Sequence, residues 1–269
     1  MKDRPRRRSS VRPGRPERVA VLLQFLTLPL WGCLGTDFAV EADVAAFSPR
    51  IHGDFALGSG PSVDDISLSS DLDIDDQEVE PYFRAKGEVL GFELEASYFA
   101  TEQEGTGILT ADFGNITVGS AVSSTMDLAA GRLALTWDLF DLGFLEVSPG
   151  LAVEYLDIEL VVEEPVFDLS EEISVEQPVP MLALGLEGRL PKIPLRLTAD
   201  FAGIVAGFED LDGLVLDSEI RLEYELWSWC AVFAGYRRLI IELEGRADGQ
   251  EFDGDIDIDG FMLGLGLRF

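Results

Sequence analysis

His52 is the only histidine in the chain, and Ser48, Arg50 and Asp54 lie near it at alternate positions. A histidine with a carboxylate and a hydroxyl is the set needed for acid–base-assisted hydrolysis. In extended chain, however, residues i and i+2 stand about 7 Å apart, too far for direct proton transfer. A dyad would need a cross-strand partner such as Glu80, and a hydrogen-bonding histidine on a polar face is the stronger reading. Asp255-Ile-Asp-Ile-Asp-Gly260 matches the first half of a calcium loop. The position that should supply the closing bidentate Glu is Gly266, so an EF-hand fails. What remains is a weak candidate divalent-cation loop of Asp253, Asp255, Asp257 and Asp259. A solvated charged rim that resists aggregation explains the same residues better. The largest chemical set consists of arginines and carboxylates at alternate positions: Arg50, Asp54, Arg84, Lys86, Glu93, Glu95, Arg132, Asp138, Glu187, Arg189, Arg196, Asp200, Arg221, Glu223 and Arg268.

These residues sit on strands. Ten segments after residue 43 alternate with a period of two, which puts unlike residues on the two faces of a strand. In the first, Val44–Leu57, the apolar face is Phe47, Ile51, Phe55 and Leu57, opposite Ser48, Arg50, His52 and Asp54. The segment around residues 219–226 is the most regular, with Ile220, Leu222, Tyr224 and Leu226 against Glu219, Arg221, Glu223 and Glu225. The ninth, Cys230–Leu243, shifts phase near Tyr236-Arg237-Arg238, where a bulge is expected. After Tyr155 the fifth inverts, with Leu156, Ile158 and Leu160 opposing Asp157 and Glu159, which implies a hairpin projecting beyond a membrane. The last segment ends the chain with Phe261, Leu263, Leu265, Leu267 and Phe269 alternating with Met262, Gly264, Gly266 and Arg268. No stretch of similar length has helical periodicity.

An alternating apolar stretch that ends on an aromatic resembles the C-terminal insertion signal of bacterial outer-membrane β-barrels. Two further features agree. The connections alternate in length: 58–78, 101–125, 159–177, 203–217 and 244–255 are long, whereas 90–91, 141–143, 191–193 and 228–229 are short. A transmembrane barrel has short periplasmic turns, longer outer loops and an even strand number. A soluble barrel would fill its interior with apolar residues; here arginines share strand faces with carboxylates, which fits an inverted barrel with ion pairs in the lumen. Trp137, Phe140, Phe144, Trp227, Trp229 and Phe269 gather at the short-turn end, as an interfacial girdle would. The expected fold is an all-β, up-and-down antiparallel transmembrane barrel of about ten strands, with eight to twelve allowed by the β-like runs inside 101–125.

The chain has 269 residues with 50 acidic and 20 basic. Residues 1–35 hold eight basic and two acidic residues, leaving 12 basic against 48 acidic in the body, a net of −36. Such a body repels phosphate backbones, so nucleic acid is excluded as a partner. The basic stretch 1–18, the apolar run Val19–Trp31 and the small residues after it read as a signal peptide over 1–35. Leu30-Trp31-Gly32-Cys33 resembles a lipobox, which makes Cys33 a lipidation candidate, although Trp31 departs from the usual small residue; cleavage after Gly35 is preferred. Residues 36–43 are expected to form a short periplasmic lead, and 44–269 the barrel.

The expected partners are outer-membrane lipid, the barrel-insertion machinery and, at the acidic loops, divalent cations. No cofactor motif is present. The function expected is a structural or surface barrel of a Gram-negative-type outer membrane, with a narrow charged lumen. A small-solute or cation-preferring channel is the alternative, and an outer-membrane hydrolase using His52 comes third.

Overall fold

The structure is a computed structural model that describes residues 39–58, 65–74, 77–89, 91–190, 192–208, 211–247 and 250–269. The leader, Cys33 and the start of the lead lie outside the described residues. Every regular element among the described residues is a strand. In chain order these are β1 (Ala39–Gly58), β2 (Ile66–Ser67), β3 (Glu80–Val89), β4 (Phe92–Ile108), β5 (Ala121–Trp137), β6 (Phe140–Asp141), β7 (Leu145–Glu164), β8 (Leu169–Arg189), β9 (Leu195–Phe208), β10 (Leu211–Trp227), β11 (Cys230–Ala247) and β12 (Gln250–Arg268).

Ten of them pair antiparallel with their chain neighbours, and β12 pairs with β1 to close the barrel. The two-residue strands β2 and β6 attach to β1 and β7. At the closure, Phe269 donates its N–H to the Val40 carbonyl at 2.8 Å, and Val40 donates back at 3.2 Å. β1 therefore begins at Ala39, inside the stretch expected as a lead.

Side-chain parity runs along the strands, with an irregularity at the foot of β10 between Glu225 and Trp227, but its chemistry inverts partway. At the short-turn end the outward residues are Phe83, Leu94, Leu135, Val153, Leu182, Leu222 and the terminal set Phe261, Leu263, Leu265, Leu267 and Phe269, all exposed. Many of the inward residues at the same level are charged, among them Asp43, Arg84, Glu95, Arg132, Arg221 and Glu223. From Phe261 to Phe269 is eight steps, about 26 Å along a strand at 3.3 Å per residue, or about 20 Å at a tilt of 35–45°. This belt is a lipid-facing band, with Trp227 stacked on Trp229 (5.6 Å, 9°) at its lower edge and Tyr236 against Phe261 (5.1 Å) at its upper edge. Above it the inward set becomes Ile51, Phe55, Met126, Leu128, Leu156, Ile158, Leu160, Leu239, Ile241, Ile256 and Ile258, all buried. The outward set becomes acidic, with Glu102 and Glu104 on β4 and Asp253 and Asp255 on β12.

This inversion corrects three expectations. Phe47, Ile51 and Phe55 of β1 face inward, while Arg50, His52 and Asp54 face outward, because that half of β1 stands above the belt in water. No bulge interrupts β11 at 236–238: its register with β12 is continuous, and the apparent phase shift marks the level where the medium changes. Three of the five expected long loops are continued strands, with β7–β8, β9–β10 and β11–β12 closing in short connections. Much of the outer acidity thus lies on strand faces.

Two connections fold into the upper part. β3 starts only at Glu80, which leaves a gap in the wall between β1 and β4. Residues 65–74 fill it: β2 pairs with Asp54 and Phe55, Leu68 donates to the Gly53 carbonyl, and Ile66, Leu68, Leu72 and Ile74 are fully buried. On the β4 side the backbone passes so close that a Cβ at Gly107 would stand 1.8 Å from the Asp71 carbonyl oxygen, and one at Gly105 2.0 Å from that of Leu72. The β4–β5 connection, 109–120, buries Leu109, Phe113 and Ile116, and Gly114 donates to the Leu57 carbonyl.

Gly107→Val is expected to expel residues 65–74 from the wall, since neither backbone can yield 1 Å cheaply. Limited proteolysis of the folded protein should then cut within 65–79 several-fold faster than in the parent. Unchanged cleavage would show that the segment does not depend on that approach. The barrel itself is checked by heat-modifiable migration on SDS gels.

Candidate functional site: the charged lumen

Below the apolar storey the inward faces carry a connected ion-pair network. At the short-turn end Arg196 from β9 reaches Glu41 on β1 (2.8 Å) and Glu223 on β10 (2.6 Å), with Glu187 on β8 at 3.4 Å. Arg268 from β12 bridges the same two, at 3.2 Å to Glu41 and 2.8 Å to Glu223. Lys86 binds Glu93 and lies 4.0 Å from Glu187.

One step up, Arg84 joins Asp43 (3.0 Å) to Glu95, and Arg221 meets Asp43 at 2.8 Å with Asp200 4.0 Å away. The small residues on β12 make room here: a Cβ at Gly266 would sit 2.6 Å from Asp43 Oδ1. At the top Asp217 accepts from Arg132 at 2.8 Å and from Arg237 through two bonds of 3.0 and 2.9 Å. Arg132 also reaches Glu95 at 2.8 Å, and Arg237 lies 3.3 Å from Glu154. Tyr82 donates its hydroxyl to Glu219 at 2.8 Å, and Arg221 Nε lies 2.9 Å from that carboxylate. Asp217, Glu219 and Glu154 are 0% exposed.

An aromatic layer separates the two storeys. Phe47 packs edge-on against Phe99 (5.1 Å) and Tyr82 (6.3 Å), and the Arg237 guanidinium lies over Phe99 (5.0 Å) and Tyr82 (5.8 Å). Cation–π contact of this kind gains strength where water is absent.

Of the residues singled out by alternation, Arg84, Lys86, Glu93, Glu95, Arg132, Glu187, Arg196, Asp200, Arg221, Glu223 and Arg268 are inside the barrel. Arg189 and Asp138 sit at the short-turn rim, Arg189 paired with Glu187 and Asp138 accepting from Ser148 at 3.2 Å. Arg50 and Asp54 are on the outer wall above the belt. Glu41, Asp43 and Asp217 belong to the network, although the sequence places them in the expected lead and in an expected long connection. Their signal was parity: Glu41 and Asp43 continue the inward phase of Ala45, and Asp217 that of Glu219 and Arg221. Tyr82 was missed as a network member.

The carboxylates of the weak cation candidate form a row on the outer face of β12. Arg50 binds Asp259 at 2.9 Å, Tyr236 donates to the same carboxylate at 2.9 Å, and Arg238 holds Asp257. Asp253 and Asp255 stand exposed; the slight loss of water around Asp253 and the nearby charges of Asp65 and Asp255 push its carboxyl above its ordinary value. Among the described residues no group of three or more His, Cys, Asp or Glu side chains could hold a metal ion. His52 Nε2 lies 3.8 Å from Asp259 Oδ1 on this outer wall.

Arg132→Met strips two buried carboxylates of a partner, so it is expected to lower unfolding free energy by about 3–5 kcal/mol. Arg50→Met, in a half-exposed pair, should cost at most about 1 kcal/mol. Urea titration of the protein in lipid vesicles measures both; equal losses would contradict the placement of Arg132 inside and Arg50 outside.

No family model matches the sequence, and no curated protein matches it. Among solved structures the chain is similar to the outer membrane protease OmpT of Escherichia coli, with TM-score 0.54 and 8% identity over 88% of this chain and 99% of that one. It also matches Ail, the attachment invasion locus protein of Yersinia pestis (TM-score 0.33, 10% identity, 86% and 99% covered), and the transport unit of the autotransporter AIDA-I of Escherichia coli (0.38, 9%, 94% and 96%). At such identities the likeness speaks for fold alone. The chain has the closed, ten-stranded antiparallel architecture of the bacterial outer-membrane β-barrels.

Proposed function

We propose that this protein is a sealed, non-catalytic outer-membrane barrel that presents a rigid acidic surface to the outside, rather than a pore. The observation that carries the reading is the double filling of the interior. Ion pairs occupy the belt level, and an apolar core with the inserted segments 65–74 and 109–120 occupies the level above. A conducting lumen needs a continuous wet path. Here the space lined by Glu93, Glu95, Arg132, Thr136 and Asp200 has room for about one water molecule, with a volume of about 20 Å³. Short turns of such barrels face the periplasm, which supports an orientation with 138–139 and 228–229 on that side and the acidic storey outside.

A hydrolase reading finds little support in the placement of His52. Its neighbour Asp259 is already held by Arg50 and Tyr236, and the pair faces away from the interior.

The test is conductance. Protein reconstituted in planar bilayers should remain silent across the accessible voltage range. Reproducible, salt-dependent current steps would overturn the sealed-barrel reading in favour of a small-solute channel.

A further inference from the structure

The barrel wall is split above the belt between β8 and β9. Their register ends at Leu182↔Gly203, although β8 continues upward through Met181 to Leu169 and β9 continues through Ile204 to Phe208. Extending the register would set Pro180 against Val205 and Pro178 against Gly207. Both prolines nevertheless remain paired in the β7–β8 ladder, opposite Val153 and Tyr155. A proline is accommodated in a paired strand where its missing N–H points away from the partner. Its donor-less side therefore faces β9, and two such positions in succession remove the donors that would have held β9. The prolines open the seam at the level where lipid gives way to water.

The consequence is a free strand edge. From Glu172 to Glu176 the even-numbered residues share the phase of Pro178 and Pro180 but retain their N–H groups, so Glu172, Ser174 and Glu176 offer donors and acceptors toward the open side. The inward side chains record this openness. Leu169, Glu171, Val175 and Gln177 of β8 are only partly buried, although Ile173 and Val179 between them are buried, whereas Leu156, Ile158, Leu160 and Val162 on the neighbouring β7 are all buried.

We propose that the upper edge of β8 receives, as an added antiparallel or parallel strand, an extended cationic peptide in which basic and apolar residues alternate. Strand addition draws its affinity from main-chain hydrogen bonds and its selectivity from side chains at alternate positions. The outward positions next to the added strand are Glu172, Ser174 and Glu176, whose carboxylates call for Lys or Arg, Glu176 also accepting from the Tyr155 hydroxyl. The inward ones are Ile173, buried in the apolar core, and Val175, partly buried at its margin, which call for Val, Ile or Leu. The same carboxylates repel a second copy of this edge, so β8 is protected against self-pairing. The occupant follows from the charge and from the alternation of the edge.

The test uses the full-length barrel refolded in detergent micelles and a fluorescein-labelled ten-residue peptide of alternating Lys and Val. A second peptide is identical in charge but N-methylated at every other residue, so it cannot pair through its backbone. Fluorescence anisotropy should show at least tenfold tighter binding of the first. Ser174→Pro deletes one edge donor while leaving the β7 side intact, and it should reduce that ratio several-fold in protein that retains heat-modifiable migration. Absence of binding, or equal affinity for the two peptides on the parent protein, would overturn the proposal. Equal affinity would reveal only attraction to an acidic surface, and this comparison does not depend on the variant folding.

Discussion

A β-strand presents one face inward along its whole length, while the medium outside this barrel changes from hydrocarbon to water. The remaining features of the interior follow from that mismatch. Where lipid lies outside, the outward positions must be apolar, and the inward ones are left to carry charge. Where water lies outside, the requirement reverses and the interior becomes an ordinary apolar core. β7 contains both regimes without a bulge: Leu151, Val153 and Tyr155 face outward below, while Leu156, Ile158 and Leu160 face inward above.

The charged regime is costly unless it is closed on itself. A carboxylate removed from water needs a cation and further hydrogen bonds. Asp217, shared between Arg132 and Arg237, and Glu223, shared between Arg196 and Arg268, meet that need with planar guanidinium groups that can bond in two directions. Tyr82 and Phe99 then provide a surface on which Arg237 is aromatic on one side and ionic on the other. This is how a charged layer can border an apolar one directly.

Much of this was legible in the sequence, because period two is a strong signal and the body repeats it ten times. The strand number, the closure through Phe261–Phe269 and the lumenal place of Arg84, Arg132, Arg196 and Arg221 all follow from alternation. Alternation alone, however, does not say which face is inside. On β1, the apolar set Phe47, Ile51 and Phe55 looks identical whether lipid or a core receives it, so an inverted barrel puts it toward lipid when only the sequence is read. The same ambiguity turned the upper halves of β9, β10 and β12 into loops, since Asp217, Asp253 and Asp255 read as loop residues until their parity is followed downward. Nothing local in Ser62–Glu78 announced that its middle would complete a wall; that depends on Gly105 and Gly107, some thirty residues later in the chain.

The first and last strands meet with two ionic clasps along their shared edge: Glu41 with Arg268 at its foot, and Arg50 with Asp259 midway up. The members of each clasp are more than two hundred residues apart in sequence, so neither forms in an open sheet however complete its hairpins are. Interactions that arise only at the final step leave the rate of assembly largely unchanged and chiefly retard its reversal. The lower clasp, set beside Glu223 in the lumen, is the better shielded from solvent ions. The barrel is thereby built to persist once shut, its lifetime governed by a junction that contributes nothing until the cylinder exists.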